Sequence, residues 1–185
     1  GPGPLINASA GSDFEGLGQN GYIPSDNNIA VGPNHIVETV NVRYAVYTKA
    51  GVLQISGFLK SLWTGLGGAC AANNGGDPIV QYDRFADRWL ISQLGSLSAP
   101  YYECIAVSKT NDPTGAYTLY AYAFGAALND YPKFGVWPTA TNSAYLASYN
   151  LFYGGSGAEL CAYDRAAMIA GAANPIGLCF SGLSS

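Results

Sequence analysis

From residue 26 onwards the chain is a succession of short apolar runs separated by turn residues. The runs are rich in Val, Ile, Tyr and Phe, and Gly, Pro, Asn or Asp stands between them. That is the pattern of antiparallel strands joined by tight turns. In YECIAVS (102–108), Tyr102, Cys104, Ala106 and Ser108 share one face, while Glu103, Ile105 and Val107 share the other. Both faces are largely apolar, as in a strand covered on both sides. Helical spacing is sparse. Two short helices are predicted, within 56–68 and 164–173, each running into glycine, with Asp164 at an N-cap position.

The runs also recur at long range. Three segments begin with an aspartate at a turn: DNNIAVGPNHIVETVN from Asp26, DPIVQYDRFADRWLISQ from Asp77 and DYPKFGVWPTATNSAYLASYN from Asp130. The aspartates are 51 and 53 residues apart. Each copy predicts a first strand (29–31, 79–82, 134–137), a second (36–40, 89–94, 144–149) and further β stretches beyond. Four strands in about fifty residues is the size of a β-propeller blade. The expected fold is all-β and β-propeller-like, with about three to four four-stranded antiparallel blades. It forms one domain over residues 21–185, behind a flexible leader at 1–20. Three blades do not close a ring. Either residues 1–25 and 174–185 build a degenerate fourth, or the chain is part of a larger or self-associating propeller.

Composition narrows the setting. The 185 residues are 49% hydrophobic but only 11% charged, against roughly 25% charged in an average domain. Tyr (14) and Gly (24) are abundant, which suits a rigid extracellular β protein better than a helical cytosolic one. A net charge of −4 supplies no basic patch for phosphates, so nucleic acid is not expected as a partner. No apolar run reaches the roughly 18 residues of a membrane span. The four cysteines, Cys70, Cys104, Cys161 and Cys179, include no C-x-x-C pair, which weakens a zinc reading. An even count points to two disulfides and an oxidising compartment. Of three pairings the sequential one, Cys70–Cys104 and Cys161–Cys179, is favoured over the others, with free buried thiols as the alternative.

Two motifs carry a resemblance. G-D-P-I-V-x-Y-D-x-x-A-D-R-W stands at residues 76–89 and D-Y-P-K-x-G-V-W-P at 130–138. With the segments around them, from about residue 14 to 175, they resemble a group of large, secreted bacterial proteins of uncharacterised function with β-propeller-like repeats. The resemblance implies the fold and a chain that is usually longer, and it implies no activity. IAVSKTNDPTGAY (105–117) is also similar to a hairpin of five-bladed glycoside hydrolases, a signature common to many propellers.

Candidate chemistry centres on the repeated aspartates. Asp26, Asp77 and Asp130 could ring a central channel as catalytic carboxylates, hold a cation, or cap turns by accepting backbone N–H groups. Repetition favours capping, since catalytic groups rarely recur from blade to blade, so no catalytic residue is assigned. For a Ca2+ ion, not required but compatible with the residues, the oxygen donors would be Asp77, Asn74 and Asp26, although no EF-hand spacing is present. Asp87 and Arg88 are expected to pair in a turn, and Trp89 to pack between blades. His35 is the only histidine and no G-x-S-x-G elbow occurs, which argues against a Ser–His–Asp hydrolase. The aromatics form the other surface. Tyr101, Tyr102, Tyr131, Trp137 and Tyr153 are the expected ligand-binding residues, because sugar rings dock on exposed aromatic faces. The same side chains also suit packing or assembly interfaces. The expected function is a secreted binding or assembly domain, whose partner is an extracellular glycan, another protein or a second copy. The alternatives are a propeller-type glycoside hydrolase or lyase using the aspartates, and a subunit of an extracellular filament.

Overall fold

The computed structural model describes residues 13–183. Twelve strands build three sheets, each four strands in chain order and antiparallel throughout. The first holds β1 (Asn28–Val31), β2 (His35–Val40), β3 (Arg43–Thr48) and β4 (Leu53–Phe58). A 3-10 turn at Leu59–Trp63 and a short helix α1 (Gly68–Ala72) lead to the second. That sheet holds β5 (Ile79–Asp83), β6 (Arg88–Leu94), β7 (Tyr101–Ser108) and β8 (Tyr117–Gly125). The third holds β9 (Ala127–Val136), β10 (Ala144–Tyr153), β11 (Gly157–Asp164) and, after helix α2 (Arg165–Ile169), β12 (Gly177–Leu183). Asp164 caps α2 by accepting the Ala167 N–H at 2.9 Å, as its position predicts.

The sheets stack through two cores. Between the first and second lie Val37, Val46, Trp63, Trp89, Ile91 and Ala106. Between the second and third lie Leu90, Ile105, Tyr120, Tyr145, Tyr163 and Met168. The alternation in β7 therefore holds: Cys104 and Ala106 enter one core, Ile105 and Val107 the other. Trp89 approaches the turn after β1 so closely that a Cβ on Gly32 would lie 2.6 Å from its ring. The first strands run beside one another, β1 next to β5 and β5 next to β9. The Val80 N–H donates to Asn28 Oδ1 at 2.9 Å, and the Gln81 amide donates to the Phe134 carbonyl. Both disulfides form in the sequential pairing. Cys70–Cys104 ties α1 to β7, and Cys161–Cys179 joins directly opposed residues of β11 and β12.

Two expectations are corrected. Residues 177–183 are the fourth strand of the third sheet and not part of an extra one, because they pair along β11. Of the expected leader, residues 1–12 lie outside the described residues. Residues 13–27 contain no strand, but the Phe14 ring sits 5.2 Å from that of Tyr47, and the Leu17 N–H donates to Glu38 at 2.7 Å. The other correction concerns the 83–88 turn. Asp87 accepts from Tyr82 and Asn111, and Arg88 turns back to the Ala86 and Asp87 carbonyls. It is Asp83, fully buried, that forms an ion pair with the largely buried Arg165 of α2, Nε to Oδ2 at 2.6 Å and Nη2 to Oδ1 at 3.1 Å. Asp83 also accepts the Tyr145 hydroxyl at 2.9 Å and the backbone N–H groups of Phe85 and Ala86.

Removing one member of such a pair leaves the other buried without its countercharge, at about 3–5 kcal/mol. Arg165→Met is expected to lose stability on that scale in urea unfolding. Adding Asp83→Asn should recover part of the loss by removing that buried charge.

Candidate functional site

The site begins where the chain enters the first strands. Asp26 (φ 43°) and Asp77 (φ 50°) take left-handed conformations immediately before β1 and β5. In the third sheet the left-handed residue is Tyr131 (φ 51°), one position beyond Asp130. Pro78 and Pro132 follow the second and third of these residues, and Asn27 the first. Tyr131 and Pro132 sit where the register of β9 against β10 shifts, so β9 runs on through a bulge to Ala127. The repeat thus places Tyr131, and not Asp130, in the position of the aspartates.

Asn41, in the turn between β2 and β3, binds these entries together. Its Nδ2 donates to Asp26 Oδ2 at 2.7 Å, and its Oδ1 accepts the Asp77 N–H at 3.0 Å. Asp77 Oδ2 in turn accepts the Tyr131 N–H at 3.0 Å. One chain of bonds therefore crosses all three sheets. Gly76 is required here: its φ is +88°, and a Cβ would stand 2.9 Å from Asn41 Oδ1. Burial pushes the Asp77 carboxyl up to about 6. The negative charges of Asp130 and Asp26 act in the same direction, Asp26 lying within hydrogen-bonding reach, and the Tyr131 N–H opposes them.

Beside this junction a groove of about 310 Å³ opens between the second and third sheets, lined by Asp77, Leu94, Tyr101, Leu128, Asp130 and Tyr153. The Tyr101 and Tyr153 rings are nearly parallel, 11° apart with centroids at 6.5 Å. Tyr101 is buried and Tyr153 is 82% exposed. Glu103 lies two residues along β7 on the same face as Tyr101, with no exposed surface, and accepts Asn129 Nδ2 at 2.9 Å. Burial holds its carboxyl well above the usual carboxylate range. The Ser92 hydroxyl and the Asn129 amide beside it favour the charged form and oppose that rise.

Of the residues singled out in the sequence, Asp77, Asp130, Tyr101 and Tyr153 line this one groove. Asp26 and Tyr131 adjoin it in a smaller pocket of about 80 Å³, where the Lys133 ammonium covers the Tyr131 ring at 3.3 Å. Three others are elsewhere. Tyr102 points from the opposite face of β7 into the first core. Trp137, 72% exposed, lies past the far end of β9 with its ring edge against Phe85. Asn74 accepts the Lys60 N–H and so supports the 3-10 turn rather than joining Asp77 and Asp26. Among the described residues, the group of three acidic or cysteine ligands within 4.8 Å of one another is Glu159, Cys161 and Cys179, whose two sulfurs form a disulfide. Asn41, Glu103 and Asn129 were missed. Glu103 carried a signal, as a lone charge inside the apolar run YYECIAVS.

A carboxyl whose pKa is raised by folding stabilises most below its ordinary value near 4, and that contribution is lost as pH rises through the folded value. For Asp77 the window runs from about 4 to about 6. Asp77→Asn is therefore expected to shrink the drop in Tm between pH 4 and pH 7, measured by thermal melts at both.

No family model, curated protein or solved structure matches this chain.

Proposed function

We propose that the chain is an extracellular, propeller-like binding domain that takes a saccharide in the groove between its second and third sheets. The observation that carries this reading is the meeting of Tyr101 and Tyr153 with Asp77 and Asp130 around one open groove. A pyranose has an apolar face that stacks on an exposed ring, and hydroxyls that donate to carboxylate oxygens. The propeller-like arrangement is supported by three four-stranded meanders whose first strands lie side by side. Secretion is supported by the two disulfides and by the resemblance to secreted bacterial repeat proteins. Among the described residues no helix is long and apolar enough to cross a membrane.

Hydrolysis by the repeated aspartates is less well supported. Glycosidases hold their two carboxyl groups roughly 5–9.5 Å apart, whereas Asp26 and Asp77 approach within hydrogen-bonding reach, and one Asp77 oxygen is taken by Tyr131. A second reading, assembly with a protein chain, is favoured by the outer face of the third sheet. Leu146, Leu160, Leu178 and Phe180 stand exposed there in cross-strand register, with Phe152 further along.

Glycan-array screening followed by titration tests the saccharide reading. Tyr153→Ala is expected to weaken binding of any hit at least about tenfold, the scale of one lost aromatic contact. Trp137→Ala should leave it unchanged. An array with no hits, or a hit lost only in Trp137→Ala, would overturn the assignment of the groove. Sedimentation tests the second reading: a concentration-dependent dimer abolished by Leu178→Asp is its expected outcome.

A further inference from the structure

The groove has an electrostatic asymmetry that narrows its ligand further. Asp77 and Asp130 both line it, Asp26 stands behind Asp77, and no basic side chain is among its lining residues. Lys133, the closest basic residue in sequence, is held over the Tyr131 ring in the adjoining pocket. Asp130 has no hydrogen-bond or ion-pair partner within the described residues, in contrast to Asp83, Asp87 and Asp112, which are all bonded. The remaining polar groups of the lining are phenol hydroxyls, and no Arg, Lys, Asn or Gln side chain offers itself to a sugar oxygen. A groove of carboxylates and aromatic faces, without cationic or amide donors, matches a ligand that brings its own positive donors.

We propose that the groove recognises an amino sugar through its free ammonium group, as in a deacetylated glucosamine oligomer, with the ammonium between Asp77 and Asp130 and the pyranose face on Tyr153. This rests on the saccharide reading and specifies its charge. An ammonium placed there forms charge-assisted bonds to both carboxylates. It also relieves the mutual repulsion of Asp26, Asp77 and Asp130, an advantage that a neutral sugar lacks. The groove volume of about 310 Å³ is about ten times the roughly 30 Å³ share of one water, enough for a ring as well as its ammonium. A lone alkylammonium head would leave most of that volume unused.

The test compares glucosamine oligomers with N-acetylglucosamine oligomers of equal length by calorimetric titration, with oligolysine as a third ligand. Binding of the deacetylated oligomer, weakened at least about tenfold by Asp130→Asn, is the expected result. The acetylated oligomer and oligolysine should bind at least about tenfold more weakly. Asp112→Asn, in the turn between β7 and β8 at the far end of β7 from Tyr101, removes the same charge and should leave affinity unchanged. Thermal melts check that both variants are folded. Equal binding of both oligomers would overturn the charge inference while leaving the saccharide reading standing. Binding of neither overturns the amino-sugar proposal, and the saccharide reading falls with it only if the glycan array also gives no hit. Equal losses in Asp130→Asn and Asp112→Asn, or equal binding of oligolysine, would also overturn the proposal, by showing attraction to net charge alone.

Discussion

The second sheet is apolar on both faces, and everything else in the molecule answers that constraint. A sheet with one wet face can stand on a single core. β6 and β7 leave no face for water, so the first and third sheets must cover them. The third sheet needs no such treatment, whereas in the first sheet β3 is buried on both faces, with Phe14 against Tyr47. In β10 burial alternates strictly along most of its length, because only the face towards β7 is enclosed.

Apolar contact alone would allow the sheets to slide or rotate, since it has no direction. Polar pins at the two ends of β5 supply the direction. Before its first residue, Asp77 accepts from Tyr131 of the third sheet and donates its N–H to Asn41 of the first. At its last residue, Asp83 receives Arg165 and Tyr145. The two pins differ in wetness. The Asp83 end is dry and fully bonded, and so structural. At the Asp77 end, neighbouring carboxylates remain crowded beside an open groove. Crowded like charges are costly to fold, and a ligand of opposite sign recovers that cost.

Much of the framework was legible in the sequence because strand periodicity and turn residues are local signals. The fifty-residue repeat and the two faces of β7 follow from spacing, whereas the sequential disulfide pairing was one favoured choice among three and is settled by the fold. The site was legible only in part. Tyr101 and Tyr102 are neighbours in sequence, but a strand sends them to opposite faces, and composition does not say which face opens on a groove. Asp130 aligned with Asp77 by residue type, whereas the backbone aligned Tyr131, because a bulge adds a residue to β9. Trp137 and Asn74 belonged to the right segments at the wrong ends. Asn41 and Asn129 act across sheets, which no short window reveals. β12 was missed because its first residues, Gly177-Leu178-Cys179, follow Asn174-Pro175-Ile176 with no aspartate to announce a strand.

Among the described residues the first and third sheets share no core residues, although Asp26 and Asn28 meet Tyr131 and Lys133 around the small pocket outside the cores. Coupling through the cores therefore passes from neighbour to neighbour, as in stacked repeat arrays. The middle sheet belongs to both cooperative units, so its disruption releases both at once. Damage confined to an outer sheet leaves one core intact. The Cys70–Cys104 bridge reinforces the first unit, while Cys161–Cys179 closes a hairpin within the second. The groove lies on the seam of that second unit, between elements whose separation would dismantle it without unfolding the first. Such a seam is where partial opening and ligand capture would be felt together, through hydrogen exchange in β9 and β10.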